Sequence, residues 1–265
     1  MSRIASVFKQ PGRAALMPYI TVGYPSIEAT LEVVSLLASC DCDIIELGIP
    51  FSDPLADGIT IQKASFHALQ NGITPQICLE VASQLSQRVN IPLVFMTYFN
   101  PVFSYGLEDF CSACVRSGIE GLIIPDLPPE EGSALEAITR RQGLDLIYLL
   151  APTSTGERIR LVAERSRGFI YLVSVAGVTG ARDRLPDDLA AFVARVRKVA
   201  SQPLCVGFGI STPEQAGQVA RIADGVIVGS RLIQLMETED NFIAPVSNFI
   251  VGLRHALDEL SGEKR

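Results

Sequence analysis

Glu46 is at odds with its neighbours. It stands inside Ile44-Ile45-Glu46-Leu47, and a carboxylate in an apolar segment costs several kcal/mol if it is ionised and unpaired. Burial raises the pKa of such a group toward the range where it can give and take a proton near neutrality. The bland reading is a glutamate that caps a strand and pairs with a buried Lys or Arg, but none of the apolar strand-like runs contains a basic residue. Two more carboxylates follow in Gly48-Ile49-Pro50-Phe51-Ser52-Asp53-Pro54-Leu55-Ala56-Asp57-Gly58. Asp53 precedes a proline and Asp57 a glycine, so both also have the chemistry of turn formers. Spacing alone leaves Asp57 open between a structural and a catalytic role.

A second set of residues suits an anion. Gly207-Phe208-Gly209-Ile210-Ser211 leads into Thr212 as N-cap and Pro213 in a first helical turn, and Gly229-Ser230-Arg231 and Gly177-Val178-Thr179-Gly180 are similar clusters. Glycine lets the backbone come close to a phosphate, and the free N–H groups of a helix N-terminus bind it. Ordinary left-handed turns are the alternative. A dinucleotide fingerprint fails, because Thr212 occupies the place of its third glycine.

The elements that must position these residues alternate along the chain. Eight short apolar runs read as strands: Met17–Val22, Ile44–Leu47, Leu93–Met96, Gly121–Ile124, Leu146–Leu150, Phe169–Val173, Leu204–Gly207 and Gly225–Val228. Each is nearly all apolar instead of alternating, as parallel strands covered on both faces are. Amphipathic helical segments lie between them, such as Ile27–Ser39, Thr74–Arg88, Glu130–Gln142 and Pro186–Ala200. One extra helix is expected before the first strand and another near Val246–Leu260. Eight such units in 265 residues predict a single (β/α)8 TIM barrel over residues 1–265. A doubly wound open sheet would gather its glycines after the first strand, where Gly23 stands alone. In a barrel the site lies at the C-terminal strand ends, which is where Glu46, Asp57 and the three glycine clusters fall.

Composition excludes other classes. A net charge of −7 without a long basic run argues against nucleic acid and anionic membranes. No apolar run reaches the roughly 18–20 residues of a membrane span, and the N-terminus lacks the pattern of a signal peptide. The scattered cysteines read as buried thiols of a cytoplasmic protein. Cys111 and Cys114 spell CxxC, but inside a helical segment and without a second pair, so they read as core. His67 and His255 lack metal-ligand spacing, so no metal is expected. No lysine ends a strand, which argues against a Schiff-base aldolase. What remains is proton-transfer chemistry on a phosphorylated molecule, such as isomerisation or retro-aldol cleavage.

The run from Glu46 to Gly58 resembles the signature of the tryptophan synthase alpha subunit. The resemblance continues through Pro18-Tyr19-Ile20-Thr21-Val22-Gly23, Met96-Thr97-Tyr98-Phe99-Asn100-Pro101, Gly121–Glu130, Ala151-Pro152-Thr153, Gly177–Gly180, Gly207–Ile210 and Gly229-Ser230, in the family's order. It implies a lyase of tryptophan biosynthesis that splits indole-3-glycerol phosphate into indole and glyceraldehyde 3-phosphate without a cofactor. By the same resemblance Glu46 moves a proton between the glycerol hydroxyl and indole C3, while Asp57 accepts a hydrogen bond from the indole N–H. Tyr19, Tyr98 and Tyr171 correspond to pocket walls, and Thr179, Gly180, Phe208, Gly209, Gly229 and Ser230 to substrate and phosphate positions. The implied partner is a beta subunit carrying pyridoxal phosphate, in an alpha-beta-beta-alpha heterotetramer, with Pro50 and Asp53 as contacts and the loop from Gly177 to Arg184 closing over substrate. Ile59 is a departure: the family usually has proline after Asp-Gly, and its loss is expected to loosen the loop. Two alternatives remain, another phosphate-binding barrel enzyme and a silent barrel that activates a beta subunit.

Overall fold

The computed structural model describes residues 2–10, 12–173, 188–207, 209–238 and 241–263. The strands are β1 (Ala15–Thr21), β2 (Ile45–Gly48), β3 (Leu93–Met96), β4 (Ile119–Ile123), β5 (Asp145–Ile147), β6 (Leu149–Leu150), β7 (Ile170–Val173), β8 (Leu204–Gly207) and β9 (Gly225–Val228). Helices α1 (Arg3–Val7), α2 (Ile27–Ser39), α3 (Ile59–Gln70) and α4 (Pro75–Ser86) belong to the first half of the chain. They are followed by α5 (Phe99–Tyr105), α6 (Leu107–Arg116), α7 (Ser133–Gln142) and α8 (Gly156–Arg165). The remainder are α9 (Leu189–Arg197), α10 (Pro213–Ala220), α11 (Ser230–Thr238) and α12 (Ile243–Glu263).

All strand pairs are parallel, in the order β5-β4-β3-β2-β1-β9-β8-β7-β6. β5 and β6 are separated by Tyr148 alone, so the two ends of this sheet are one stretch of chain and the sheet rolls into a nearly closed barrel. The sequence predicts one strand here. The split arises because the Tyr148 N–H leaves the ladder to donate to Ser166 Oγ at 3.1 Å, while its carbonyl still accepts from Tyr171 N–H at 3.1 Å.

Alternation along each strand divides the core in two. Met17, Tyr19, Val94, Met96, Tyr171 and Ile227 belong to a cluster in the barrel lumen. Leu16, Ile20, Leu47, Phe95, Leu172 and Val206 pack in a separate cluster with residues of the surrounding helices. Both faces are dry, which is why the strands read as nearly all apolar. The expected extra helices are present. α1, N-capped by Ser2, inserts Ile4 into the lumen cluster with Ala15 and Phe169 at the strand N-termini. α12 is strapped to β1 by the buried Arg254, which donates to Asp43 Oδ2 and to the Ala14 carbonyl, both at 3.1 Å. α9 covers part of the helix expected over Pro186–Ala200, whose first residues lie outside those described. Cys111 and Cys114 are buried in α6 as core residues. Among the described residues no helix is long and apolar enough to cross a membrane.

Candidate active site

Glu46 lies on β2 in register with Tyr19 of β1 and Val94 of β3, both of the lumen cluster. Its relative exposure is 0%, and neither carboxylate oxygen has a hydrogen-bond partner among the described residues. Burial pushes its pKa from 4.5 up to about 8. Tyr19 and Tyr171 stand beside it, their hydroxyls raised first by burial, then by carboxylates: chiefly Asp57 for Tyr19 and Glu46 for Tyr171.

Two glycines make room for these phenols. A Cβ at Gly48 would lie 2.1 Å from the Tyr19 hydroxyl, and one at Gly207 would lie 2.3 Å from that of Tyr171. In each case the glycine ends the strand next to the one bearing the tyrosine. Each ring therefore lies across its neighbour's backbone at the C-terminal mouth of the barrel.

Asp57 sits on the loop between β2 and α3 with 5% exposure. Burial raises its pKa from 3.8 to about 6, and a hydrogen bond from the Tyr98 hydroxyl holds the rise back. The same hydroxyl accepts the Ala56 N–H at 3.0 Å, and Phe51 stacks on the Tyr98 ring at 5.3 Å. The turn is tied further by Asp57 N–H to the Pro54 carbonyl at 3.1 Å and by Gln62 Nε2 to the Asp57 carbonyl at 2.8 Å. Gly58 caps α3 without a side-chain hydrogen bond, and Ile59 is its first residue. In the same loop Asp53 is exposed and accepts from Ser52 Oγ at 2.5 Å, whereas Pro50 is buried within the chain.

Two of the three glycine clusters lie in part among the described residues. Thr212 N-caps α10, its hydroxyl accepting Gln215 N–H at 3.3 Å, with Pro213 in the first turn. Gly209 has φ +83°, a conformation that glycine adopts without strain. Gly229 directly precedes α11 and lends its carbonyl to Ile233 N–H at 3.0 Å, which leaves the earlier N–H groups of that helix free of intrahelical bonds. Thr179, Gly180, Phe208 and the whole Gly177–Arg184 loop lie outside the described residues.

A single cavity at the strand C-termini joins the two sets. Tyr19, Asp57, Tyr171, Gly209, Gly229 and Ser230 all line it. Glu46, buried near the two tyrosines, is not part of the lining. Tyr98 is not a wall residue of this cavity either; it holds Asp57 from behind. The histidines are placed elsewhere: His67 packs edge-on against Tyr24 at 5.4 Å, and His255 is exposed beside Glu259 at 3.4 Å. Among the described residues no group of His, Cys, Asp and Glu could hold a metal ion.

The sequence profile of the family described as Tryptophan synthase alpha chain matches residues 5–254. The chain belongs to that family. The tryptophan synthase alpha chain of Dehalococcoides mccartyi is 59% identical over 258 residues, covering 97% of this chain and 100% of the relative. That of Geobacter sulfurreducens is 46% identical over 262 residues, covering 97% and 99%. Among solved structures, Mycobacterium tuberculosis tryptophan synthase matches with a TM-score of 0.90 at 38% identity over 97% of this chain and 98% of its own. Tryptophan synthase subunit alpha from Legionella pneumophila gives 0.90 at 36% identity, covering 98% and 99%. The barrel is thus the fold of that family, and the chain is an alpha subunit of tryptophan biosynthesis, a lyase that cleaves indole-3-glycerol phosphate.

Several lining residues carry no chemical signal in the sequence. Ile61, Met96, Ile210 and Ile227 make the apolar wall. Strand periodicity marks Met96 and Ile227 as facing the lumen once Tyr19 is known to do so, but only the folded chain shows which lumen residues reach the mouth. Gly48 reads as a loop glycine and Gly207 as a strand end leading into an anion-binding segment, and the task of each also depends on a tyrosine one strand away.

Proposed function

We propose that Glu46 and Asp57 divide the cleavage of indole-3-glycerol phosphate between them inside this cavity. Protonated Glu46 gives its proton to indole C3, which leaves a positive charge delocalised onto the ring nitrogen. Ionised Asp57 accepts the indole N–H and stabilises that charge. Glu46, now a carboxylate, takes the proton of the glycerol hydroxyl. The bond between C3 and the glycerol carbon breaks, its electron pair returns to the indole ring, and glyceraldehyde 3-phosphate leaves as the aldehyde. Glu46 ends protonated, as it began. Because the ring nitrogen serves as the electron sink, the chain itself needs no metal or cofactor. Pyridoxal phosphate belongs to the partner beta subunit.

The burial of an unpartnered Glu46 carries this reading. Neither oxygen is tied by a hydrogen bond among the described residues, so its rotation toward a ligand breaks none of these, and its raised pKa keeps the starting proton in place at neutral pH. Tyr19 and Tyr171 border the indole, while Gly209, Gly229 and Ser230 receive the phosphate, with Thr179, Gly180 and Phe208 completing that end.

The beta subunit docks on the loop carrying Asp57. Asp53 is exposed there, as are apolar Leu55 (86%) and Ile59 (67%) of the same segment, with Pro50 as buried support, and Phe103 (65%) is exposed on α5. Phe103 lies on α5, whose N-cap is the Tyr98 that holds Asp57, so covering this patch stiffens the catalytic turn. We take the assembly to be alpha-beta-beta-alpha, residues 1–265 to be one domain, and the location to be cytoplasmic. The test is indole release from indole-3-glycerol phosphate by the pure chain, with and without added beta subunit. Wild type should release indole and Glu46→Gln should not; a wild type that releases none even with its partner rejects the proposal.

A further inference from the structure

We propose that Arg231 supplies the phosphate of the substrate with a charged contact that the backbone cradle alone does not provide; this rests on the lyase reading above. Arg231 is the second residue of α11, directly after Ser230, and lines the same cavity as Asp57, Gly209 and Gly229. Its position is electrostatically awkward. A cation in the first turn of a helix faces the positive end of the macrodipole. A carboxylate would normally relieve this, yet Arg231 forms no ion pair with any carboxylate among the described residues. The catalytic carboxylates do not take up its charge either. Glu46 is governed by burial alone, and the single influence drawing Asp57 down is Tyr98.

The cavity therefore contains a half-buried guanidinium with no counter-ion among the described residues, and the ligand carries one. A phosphate monoester brings roughly −1.5 to −2 charges near neutrality. It must enter a chain of net charge −7 and approach a site that holds Asp57. A helix N-terminus offers only about half a positive charge, whereas a guanidinium adds a full one and a fork of donors that matches a phosphate. Arg231 is thus a binding and specificity residue for phosphorylated over unphosphorylated substrate, with no part in proton transfer.

The experiment compares wild type, Arg231→Gln and Arg231→Lys as full-length chains with the beta subunit present. In Arg231→Gln the KM for indole-3-glycerol phosphate and the inhibition constant of inorganic phosphate should both rise about tenfold or more, with kcat nearly unchanged. Arg231→Lys should recover part of that loss, because it keeps the charge without the fork. Equal KM and equal phosphate inhibition in wild type and Arg231→Gln would overturn the assignment. So would a fall in kcat that Arg231→Lys does not relieve. Failure of the lyase reading looks different, since wild type itself would then release no indole. Even in that case, inorganic phosphate should raise the Tm of wild type more than that of Arg231→Gln, and equal rises would count against Arg231.

Discussion

Replacing Glu46 by Gln should silence the reaction and, at alkaline pH, make the protein more stable. The folded chain keeps on Glu46 a proton that the unfolded chain releases above 4.5, because burial holds the native pKa at about 8. Stability contributed by this group is therefore full below 4.5 and is lost progressively as pH rises toward about 8, beyond which the loss is constant. At about 1.36 kcal/mol per pH unit, the gap corresponds to a penalty on the order of 5 kcal/mol in wild type at high pH. A glutamine carries no charge at any pH and escapes that penalty. Its buried amide has a cost of its own, about 1–3 kcal/mol without partners, but this does not vary with pH and drops out of the comparison. Urea unfolding of both proteins at about pH 5, 7 and 9 reads the difference in stability. It should move in favour of Glu46→Gln by several kcal/mol across that range, while indole release falls at least about a hundredfold. A difference that is the same at about pH 5 and pH 9 would show that Glu46 is not held protonated by its burial, and the proposed first step would go with it.

The same two carboxyls set the pH dependence of turnover. kcat/KM should fall below about 6 as Asp57 gains a proton and above about 8 as Glu46 loses one. The second ionisation of a phosphate also lies near about 6, so the basic limb is the decisive one, and its absence between about pH 7 and 9 contradicts a protonated starting state. Tyr98→Phe removes the donor that holds Asp57 down and the acceptor of the Ala56 N–H. The acid limb should then move up by roughly one to two pH units, from the loss of about 1.5–3 kcal/mol in a hydrogen bond to a charged group, and an unmoved limb removes Tyr98 from that role. Gly48→Ala should be severely damaging, because its methyl would meet the Tyr19 hydroxyl. Because that methyl would also lie 2.5 and 2.8 Å from carbons of the Tyr19 ring, Tyr19→Phe should not relieve it, whereas adding Tyr19→Ala should recover folding; a Gly48→Ala/Tyr19→Ala variant no better folded than Gly48→Ala refutes the steric account.

How much of this was legible in the sequence depends on whether the signal is local to the chain. Leu93–Met96, Leu204–Gly207 and Gly225–Val228 have the bounds their apolar runs predict, because a buried parallel strand shows itself in its own residues. Thr212 and Pro213 likewise announced the start of α10. Glu46 was legible for the same reason, as a charge in a dry segment. The interruption at Tyr148 was not, since it depends on the hydroxyl of Ser166. The resemblance makes Tyr98 a pocket wall, but it does not show that the Tyr98 hydroxyl bonds the Asp57 turn or that Phe51 stacks on its ring; both depend on the folded loop. The room that the glycines at 48 and 207 make for a tyrosine could not be read without the pairing of β1 with β2 and of β7 with β8.

Asp57 is the residue that the fold changed most. From spacing it could have been a turn former, and the turn is real: its backbone N–H reaches Pro54 and its carbonyl accepts from Gln62. These bonds use the backbone and leave the carboxylate for chemistry, so the structural and catalytic readings describe different atoms of the same residue. Burial raises both carboxyls, but Asp57 has a phenol donor and Glu46 has none among the described residues. Together with the lower starting pKa and slightly lesser burial of Asp57, that donor sets them on opposite sides of neutrality, which suits the proposed division into acid and counter-ion. The donor, Tyr98, also heads α5, and the exposed Leu55 and Ile59 flank the carboxylate it holds. A partner covering that patch therefore acts on Asp57 and leaves Glu46 untouched. Activation by the beta subunit should accordingly appear in the acid limb of the pH profile and not in the basic one.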